Sequence, residues 1–308
     1  MRQDPSRADV LRGAAAAGAW GLAFTPVWAM AETKTMQTRA IPSTGERLPV
    51  IGCGTWRTFD VGDDPKARAP LAQVLEALFA AGGSVIDSSP MYGRSEGVAG
   101  DLLAQAGTRQ RAFVATKVWT QGKEAGRQQI ERSMQALRTD VLDLLQVHNL
   151  SDWRVQLATL RDLKAARRIR YLGVTHYTSS AYADLEAVMR SERLDFIQIN
   201  YSPDDRSAEA RILPLAAERG MAVLVNLPFG GGGLLRRFHT RPLPSWAAEA
   251  GYTTWAQLFL KFVLAHPAVT CVIPGTADPE HMTQNAQAGI GPALDGALRQ
   301  RLIEDVDR

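Results

Sequence analysis

The sequence has few of the residues that build disulfide frameworks or metal sites. It contains only two cysteines, Cys53 and Cys271, among 308 residues, with no CxxC pair and no Cys/His cluster. Two cysteines cannot form a multi-bridge framework, and a structural zinc site needs more ligands in a tighter cluster. We therefore expect no metal and two buried thiols. A single Cys53–Cys271 bridge stays open, because strands one and eight are neighbours in the barrel predicted below.

A strong excess of one charge is also missing. The net charge is +3, charged residues make up 22% of the chain, and there is no long basic run. Proteins that bind nucleic acid by electrostatics usually show a basic patch or stripe, so nucleic acid is not an indicated partner. Hydrophobic residues make up 45% of the sequence. That content is ample for one large core, and a single barrel domain of roughly 250 residues is common.

The first thirty residues differ in composition from the rest. Basic residues precede a short apolar run that ends in small residues, and this order predicts a secretory signal peptide over 1–31, with the mature protein at 32–308. The run is too short and too interrupted by glycine and proline for a membrane span. A frayed N-terminal helix is the alternative. The features are Arg2, Arg7 and Arg12, the Ala/Gly-rich segment 13–28, and Ala29-Met30-Ala31.

Residues 6–12 of this segment resemble a twin-arginine export motif. Arg7 matches the first arginine, but Ala8 stands where the second arginine belongs. The expected location is therefore the periplasm, or the cytoplasm if the N-terminus is not a functional signal. No membrane association beyond export is expected.

The mature chain alternates short apolar runs with segments of helical period. Short, uniformly apolar runs are typical of strands buried on both faces. Eight of them, each followed by a helical pattern, predict an α/β fold, the (β/α)₈ TIM barrel, as one domain. An open doubly wound sheet is disfavoured, because no GxGxxG follows the first run. The predicted strands are 50–54, 84–87, 112–116, 142–147, 171–175, 196–200, 222–226 and 269–273.

Three further segments complete the predicted architecture. Residues 38–49 are expected to form a β-hairpin that caps the bottom of the barrel. Residues 228–245 hold glycine and proline without helical period, so we interpret them as a long loop after strand seven. Residues 291–308 are expected to form a C-terminal amphipathic helix.

Polar side chains fall at the carboxyl ends of three successive predicted strands. Asp87 ends strand two, Lys117 follows strand three, His148 follows strand four, and Tyr92 lies in the loop after Asp87. In a βα barrel the reactive groups lie at this face. Each residue alone has an ordinary structural explanation, but their shared position predicts a site. We call Asp87, Tyr92, Lys117 and His148 the tetrad.

The tetrad suits proton transfer coupled to hydride transfer. Tyr92 would give a proton to a carbonyl oxygen and take it back in the reverse reaction. The Lys117 ammonium is expected to lower the pKa of Tyr92. Asp87 would hold Lys117 charged through an ion pair, and His148 would place the substrate oxygen.

These residues lie in motifs that resemble those of the aldo-keto reductases, from about Ile41 to the C-terminus. The chain's Asp87-Ser88-Ser89-Pro90-Met91-Tyr92-Gly93, followed by Ser95 and Glu96, resembles the family's D-(T/S)-(A/S)-x-x-Y-G-x-(S/A)-E. Further matches lie at strands three, four and eight. They are Thr116-Lys117 with Trp119, Val147-His148, and Ile273-Pro274-Gly275-Thr276 with Pro279-Glu280 and Asn285.

The resemblance implies Tyr92 as the acid/base and NADPH as cofactor, with NADH possible, bound across the barrel mouth without a Rossmann domain. Independently of the resemblance, the large apolar side chains of Trp56, Met91 and Trp119 predict an apolar pocket for a small carbonyl substrate, with packing as the alternative. The implied cofactor-binding residues are Thr55, Trp56, Thr175, His176, Gln198, Asn226, Pro228, Gly230, Gly275, Thr276, His281, Gln284 and Asn285.

Four of those positions depart from the family pattern. His176 follows Thr175 where a Ser-Asn pair is usual, and Asn226 replaces a tyrosine that stacks on nicotinamide. Gly275 and His281 stand where lysine and arginine are frequent. Histidine holds a 2′-phosphate less firmly than arginine near neutral pH, so the preference for NADPH is modest.

Three functions are therefore considered. The first is reduction of an aldehyde or ketone to an alcohol with NAD(P)H. The second is a non-catalytic NADP(H)-binding sensor or chaperone, suggested by the departures at His176, Asn226 and His281. The third is a metal-dependent hydrolase using Asp87, His148 and His176. The sequence does not indicate an oligomeric state.

Overall fold

A computed structural model describes residues 35–308, and the predicted signal peptide lies outside the described residues. Ten strands form a two-stranded antiparallel ribbon, β1–β2, and an eight-stranded parallel sheet in the order β10-β9-β8-β7-β6-β5-β4-β3. The strands are β1 Thr38–Ala40, β2 Arg47–Pro49, β3 Cys53–Gly54, β4 Val85–Asp87, β5 Phe113–Val118, β6 Leu142–His148, β7 Ile169–Thr175, β8 Phe196–Asn200, β9 Ala222–Asn226 and β10 Cys271–Val272.

The sheet closes where its first and last strands meet. Isolated parallel bridges join Ile51 to Val272 and Gly54 to Gly275. The backbones approach closely there, because a Cβ placed on Gly54 would lie 2.8 Å from the carbonyl oxygen of Ile273. The result is a nearly closed (β/α)₈ barrel in one domain, which confirms the predicted fold class. Intermittent pairing at this seam also explains why β3 and β10 are shorter than predicted.

The predicted hairpin cap is present. β1 and β2 pair antiparallel, with Arg39 opposite Leu48. Leu48 is buried in a cluster with the ring of Phe196, which projects into the barrel. The Tyr171 hydroxyl donates to Glu46 Oε2 at 2.6 Å, which ties the hairpin turn to β7. The hairpin therefore covers the end of the barrel at which the strands begin.

Helices follow the strands, and most of the longer ones bury an apolar face against the sheet, whereas the helix Trp255–Ala265 is buried on all sides along its middle. On the first helix the apolar face contains Leu71, Val74, Leu75, Leu78 and Phe79. The helices are α1 Pro65–Ala80, α2 Ser95–Gln105, α3 Lys123–Ala136, α4 Trp153–Ala165, α5 Tyr182–Ser191, α6 Ile212–Glu218, α7 Gly233–Phe238, α8 Ser245–Glu249, α9 Trp255–Ala265, α10 Pro279–Gln287 and α11 Gly296–Asp307.

Two sequence predictions outside the sheet need correction. The segment 228–245 is not a plain loop, because it contains a short 3₁₀ turn at Gly230–Gly232 and then α7. Leu234 and Phe238, four residues apart, bury one face of α7, and the preceding glycines hide this signal in the sequence. The terminal helix begins at Gly296, because the Asp295 side chain caps it by accepting from the Leu298 N–H at 2.8 Å.

Both cysteines are free and buried, as expected for core thiols. Burial raises the pKa of Cys53 to about 12, with a further contribution from the charge of Asp87. In the part of the chain that the structure describes, no helix is both long and apolar enough to cross a bilayer.

Candidate active site

The structure brings the tetrad together at the carboxyl ends of β4, β5 and β6. Asp87 is the last residue of β4 and His148 the last of β6, while Lys117 is the penultimate residue of β5. Lys117 Nζ lies 2.6 Å from Asp87 Oδ2 and donates a second hydrogen bond to the Ser88 carbonyl oxygen at 2.7 Å. Lys117 and Asp87 are both buried, so each charge is stabilised by the other and not by water. The predicted ion pair is confirmed.

Tyr92 is held by a tight turn after β4. Its N–H donates to the Ser89 carbonyl oxygen at 3.0 Å, and its carbonyl oxygen accepts from the Ser95 hydroxyl at 2.7 Å. Gly93 follows with φ +60°, and a Cβ there would lie 2.4 Å from the Asp60 carboxylate. Glycine at this position therefore permits both the left-handed backbone and the close approach of Asp60.

The Tyr92 ring lies close to both a cation and an imidazole. Lys117 Nζ is 5.1 Å from the centroid of the Tyr92 ring. The His148 ring stands edge-on to the same ring, with centroids 6.0 Å apart and an interplanar angle of 85°. A phenol, an ammonium and an imidazole are thus gathered at one point of the barrel mouth.

The pKa of Tyr92 is raised above its ordinary value, which corrects the sequence prediction. Burial raises it, the positive charge of Lys117 opposes that effect, and Asp87 adds to the rise. The lysine does act in the predicted direction, but desolvation outweighs it. Tyr92 therefore keeps its proton across the physiological range, the form that a proton donor needs.

Lys117 stays charged despite complete burial. Burial lowers its pKa, but the negative charge of Asp87 and the neighbouring Tyr92 outweigh burial, so the pKa of Lys117 is raised. A fixed positive charge beside Tyr92 would stabilise the phenolate that remains after proton donation.

His148 is neutral at physiological pH. Burial lowers its pKa to about 3, and the charges of Lys117 and His176 contribute in the same direction. Ser89, which sequence reasoning missed, places its Oγ 3.1 Å from His148 Nδ1. The signal available in the sequence was weak: Ser89 lies inside the Asp87–Gly93 motif, but 59 residues separate it from His148.

Several of the predicted cofactor residues contact Asp87 or its neighbours. Gln198 Nε2 donates to Asp87 Oδ1 at 2.8 Å, and Gln198 Oε1 accepts from the Thr175 hydroxyl at 3.2 Å. The Thr55 hydroxyl reaches the Asp87 carbonyl oxygen at 3.0 Å and Ser88 Oγ at 2.9 Å. Gln198 thus donates a hydrogen bond to one carboxylate oxygen of Asp87, and Lys117 donates to the other.

The predicted nicotinamide end of the cofactor site contains an unpaired acceptor. Asn226 donates from Nδ2 to the His176 carbonyl oxygen at 3.3 Å, while its buried Oδ1 has no partner among the described residues. His176 Nδ1 accepts from the N–H groups of Tyr177 and Thr178, so a neutral ring carries its proton on Nε2. A primary carboxamide, with N–H donors and a carbonyl acceptor, complements this pair.

The predicted phosphate and adenosine residues lie at the start of α10 and at the closure seam. Thr276 is buried, and its hydroxyl accepts from the Asp278 N–H at 3.0 Å. The exposed His281 ring lies 3.9 Å from Asp278 Oδ2. The remaining members of the set lie nearby in the chain: Gly275 at the seam, and Gln284 and Asn285 on α10, with Asn285 buried.

The remaining predicted cofactor and pocket residues form no hydrogen bond with the tetrad in the described part of the chain. Pro228 is buried, and Gly230, two residues further on, begins the 3₁₀ turn with φ +55°. The three pocket residues Trp56, Met91 and Trp119 are unusually exposed for large apolar side chains, at 44%, 40% and 44%. The Arg57 guanidinium covers one face of the Trp56 ring at 4.1 Å.

Two observations bear on alternative sites. A cavity of about 690 Å³ opens at the opposite end of the barrel, among charged side chains that include the Lys164–Asp195 pair, and it contains no member of the tetrad. Within residues 35–308, no group of three or more His, Cys, Asp or Glu side chains could hold a metal ion. The hydrolase alternative therefore finds no ligand set in this part of the chain.

Known proteins resemble this chain over most of its length. Methylglyoxal reductase YeaE of Escherichia coli is 29% identical over 259 residues, which cover 82% of this chain and 89% of that protein. An NADH-specific methylglyoxal reductase of the same organism is 24% identical over 341 residues, covering 89% of this chain and all of the relative.

Solved structures also resemble this chain over most of its length. The crystal structure of an aldo-keto reductase from Klebsiella pneumoniae in complex with NADPH superposes with a TM-score of 0.75 at 28% identity, covering 88% of this chain and 94% of that one. The family model for the aldo/keto reductases matches residues 50–295, which include the whole tetrad. The chain belongs to the aldo/keto reductase family.

Proposed function

We propose that this enzyme reduces a small aldehyde or ketone to an alcohol with NAD(P)H, with Tyr92 as general acid and, in reverse, general base. The observation that carries the proposal is the position of Tyr92 beside the buried Lys117–Asp87 ion pair and the neutral His148. Family membership supports the reaction class, since the relatives reported above are named as reductases.

Each member of the tetrad has a distinct task in this proposal. The cofactor supplies a hydride to the carbonyl carbon when it is bound. Tyr92 donates its hydroxyl proton to the carbonyl oxygen, which becomes the alcohol oxygen. Lys117 stabilises the resulting phenolate, Asp87 holds Lys117 in place, and His148 donates a hydrogen bond that positions the carbonyl oxygen.

The residues at the mouth of the barrel fit a nicotinamide cofactor. The unpaired Asn226 Oδ1 would accept from the carboxamide N–H group, and His176 would donate to its carbonyl oxygen. At the other end Thr276, Gln284 and Asn285 would hold the adenosine part. We propose NADPH with NADH as a working alternative, because His281 lies beside Asp278 instead of presenting a free arginine.

The substrate is proposed to be a small carbonyl compound such as a 2-oxoaldehyde. Two relatives are named methylglyoxal reductases, which motivates this choice. Trp56, Met91 and Trp119 would form its apolar wall.

Export to the periplasm is a separate proposal that rests on residues 1–31. Folded export with the cofactor already bound would supply reduced cofactor to a compartment poor in it. Fractionation of cells that carry a C-terminally tagged chain tests it. A tag found only in the cytoplasm, with an uncleaved N-terminus, would reject the proposal.

The experiment that tests the function is oxidation of NADPH and of NADH by the purified protein with a panel of aldehydes, including methylglyoxal. Turnover on a short aldehyde is the expected result. Tight cofactor binding, measured by fluorescence, without turnover on any carbonyl would instead favour the sensor or chaperone alternative.

A further inference from the structure

We infer that Ser89 is a positioning residue that determines which nitrogen of His148 carries the proton, so that the imidazole presents an N–H to the substrate carbonyl. This inference rests on the function proposed above and adds to it a residue outside the tetrad. Its basis is the buried hydrogen bond between Ser89 Oγ and His148 Nδ1 at 3.1 Å.

The direction of that hydrogen bond follows from counting donors. Ser89 is fully buried, and its Oγ has two polar neighbours among the described residues: His148 Nδ1, and the Met91 N–H at 3.3 Å. The Met91 N–H can only donate, so Ser89 Oγ accepts from it. If Nδ1 also carried a proton, the hydroxyl proton of Ser89 would be buried without an acceptor, which is costly. The satisfied arrangement has Ser89 donating to Nδ1.

A neutral imidazole that accepts at Nδ1 carries its proton at Nε2. The doubly protonated imidazolium is not formed at neutral pH, because burial and the charges of Lys117 and His176 lower the pKa of His148 to about 3. The ring stands edge-on to Tyr92 at 6.0 Å, so the two residues border the same small volume. With Nε2–H as a donor, a carbonyl oxygen there receives hydrogen bonds from both Tyr92 and His148. The other tautomer would present a lone pair to that oxygen.

Ser89 also offers a substitution that separates this role from folding. The turn that holds Tyr92 uses the backbone carbonyl of Ser89, which any residue supplies. The family motif quoted above accepts alanine or serine at this position. Ser89→Ala therefore removes the hydroxyl and keeps the turn. The adjacent Ser88→Ala is the matched control for the tautomer, because Ser88 Oγ bonds Thr55 and not His148.

The test combines nuclear magnetic resonance with kinetics on the full barrel. With ¹⁵N-labelled histidine there are five histidines to resolve, and His148→Gln identifies the signals of His148. We expect the wild type to show a protonated Nε2 and an accepting Nδ1 at neutral pH. In Ser89→Ala the Nδ1–H population should rise, and kcat should fall roughly 3- to 10-fold, the value of one neutral hydrogen bond. The Kd for NADPH should change little, and the melting temperature should fall by only a few degrees, because the Met91 N–H and His148 Nδ1 lose this hydrogen-bond partner.

The nuclear magnetic resonance spectra and the kinetics give separable results. Nδ1–H in the wild type, or an unchanged tautomer in Ser89→Ala, overturns the inference. An unchanged kcat in Ser89→Ala, despite a changed tautomer, overturns the positioning role. A wild type that reduces no carbonyl overturns the proposed function, whereas the spectra still decide the Ser89–His148 hydrogen bond. A changed tautomer in Ser88→Ala would show that the effect is not specific to Ser89 and would also overturn the inference.

Discussion

The ammonium of Lys117 lies 2.6 Å from the carboxylate of Asp87, and water reaches neither group to any extent. Removing one member of a buried pair leaves the other charge uncompensated, so Lys117→Met is expected to lower the free energy of unfolding by about 3–5 kcal/mol. Urea unfolding measures the change. Lys123→Met is the control, because Lys123 and Asp162 form an exposed pair at 3.3 Å, where the expected loss is about 0–1 kcal/mol. Equal losses would mean that the Lys117–Asp87 pair is not desolvated.

Gly93 is expected to matter for catalysis more than its effect on stability suggests. Gly93→Ala and Gly107→Ala both place alanine at a left-handed position, with φ +60° and +62°, so the backbone conformation alone should cost each about 1 kcal/mol of stability. Only the Cβ at Gly93 meets a neighbour, the carboxylate of Asp60 at 2.4 Å. Moving Asp60 would displace the turn that carries Tyr92, so kcat should fall between about 10- and 100-fold in Gly93→Ala alone. Steady-state kinetics of the two variants test this prediction, and equal kcat values would contradict it.

The pH profile of reduction is expected to be flat over about pH 5 to 9. His148, with its pKa lowered to about 3, stays neutral throughout this range. Tyr92, with its pKa raised by burial, stays protonated and can donate. Only as pH rises through that raised pKa should kcat/KM for reduction fall, while alcohol oxidation, which needs the base form, should rise with pH. An activity limb centred near pH 6.5 that vanishes in His148→Gln would show instead that the imidazole titrates in the working range.

The sequence was sufficient for the features that depend on pattern and topology. The carboxyl ends of parallel strands share one edge of a barrel, so Asp87, Lys117 and His148 could be placed together once their strands were recognised. The strands β8 and β9 have the predicted bounds. The hairpin β1–β2 was predictable from its turn residues.

Features that depend on burial or on long-range contacts could not be predicted in the same way. The direction of the pKa change at Tyr92 depends on how far the folded chain excludes water, which no local pattern records. The contacts of Asp87 with Gln198 and of His148 with Ser89 span 111 and 59 residues of sequence. The helix α7 escaped detection because glycine, a poor helix former, occupies its first position.

The most direct test of the central claim compares wild type with Tyr92→Phe in NADPH-dependent reduction of a short aldehyde. The variant removes one hydroxyl and keeps the ring beside Lys117, so the Kd for NADPH and the melting temperature should stay close to wild type. We expect kcat to fall roughly 10²- to 10⁴-fold, the contribution of a general acid. Equal turnover by the two proteins, with the cofactor bound equally well, would contradict the assignment of Tyr92 as the proton donor.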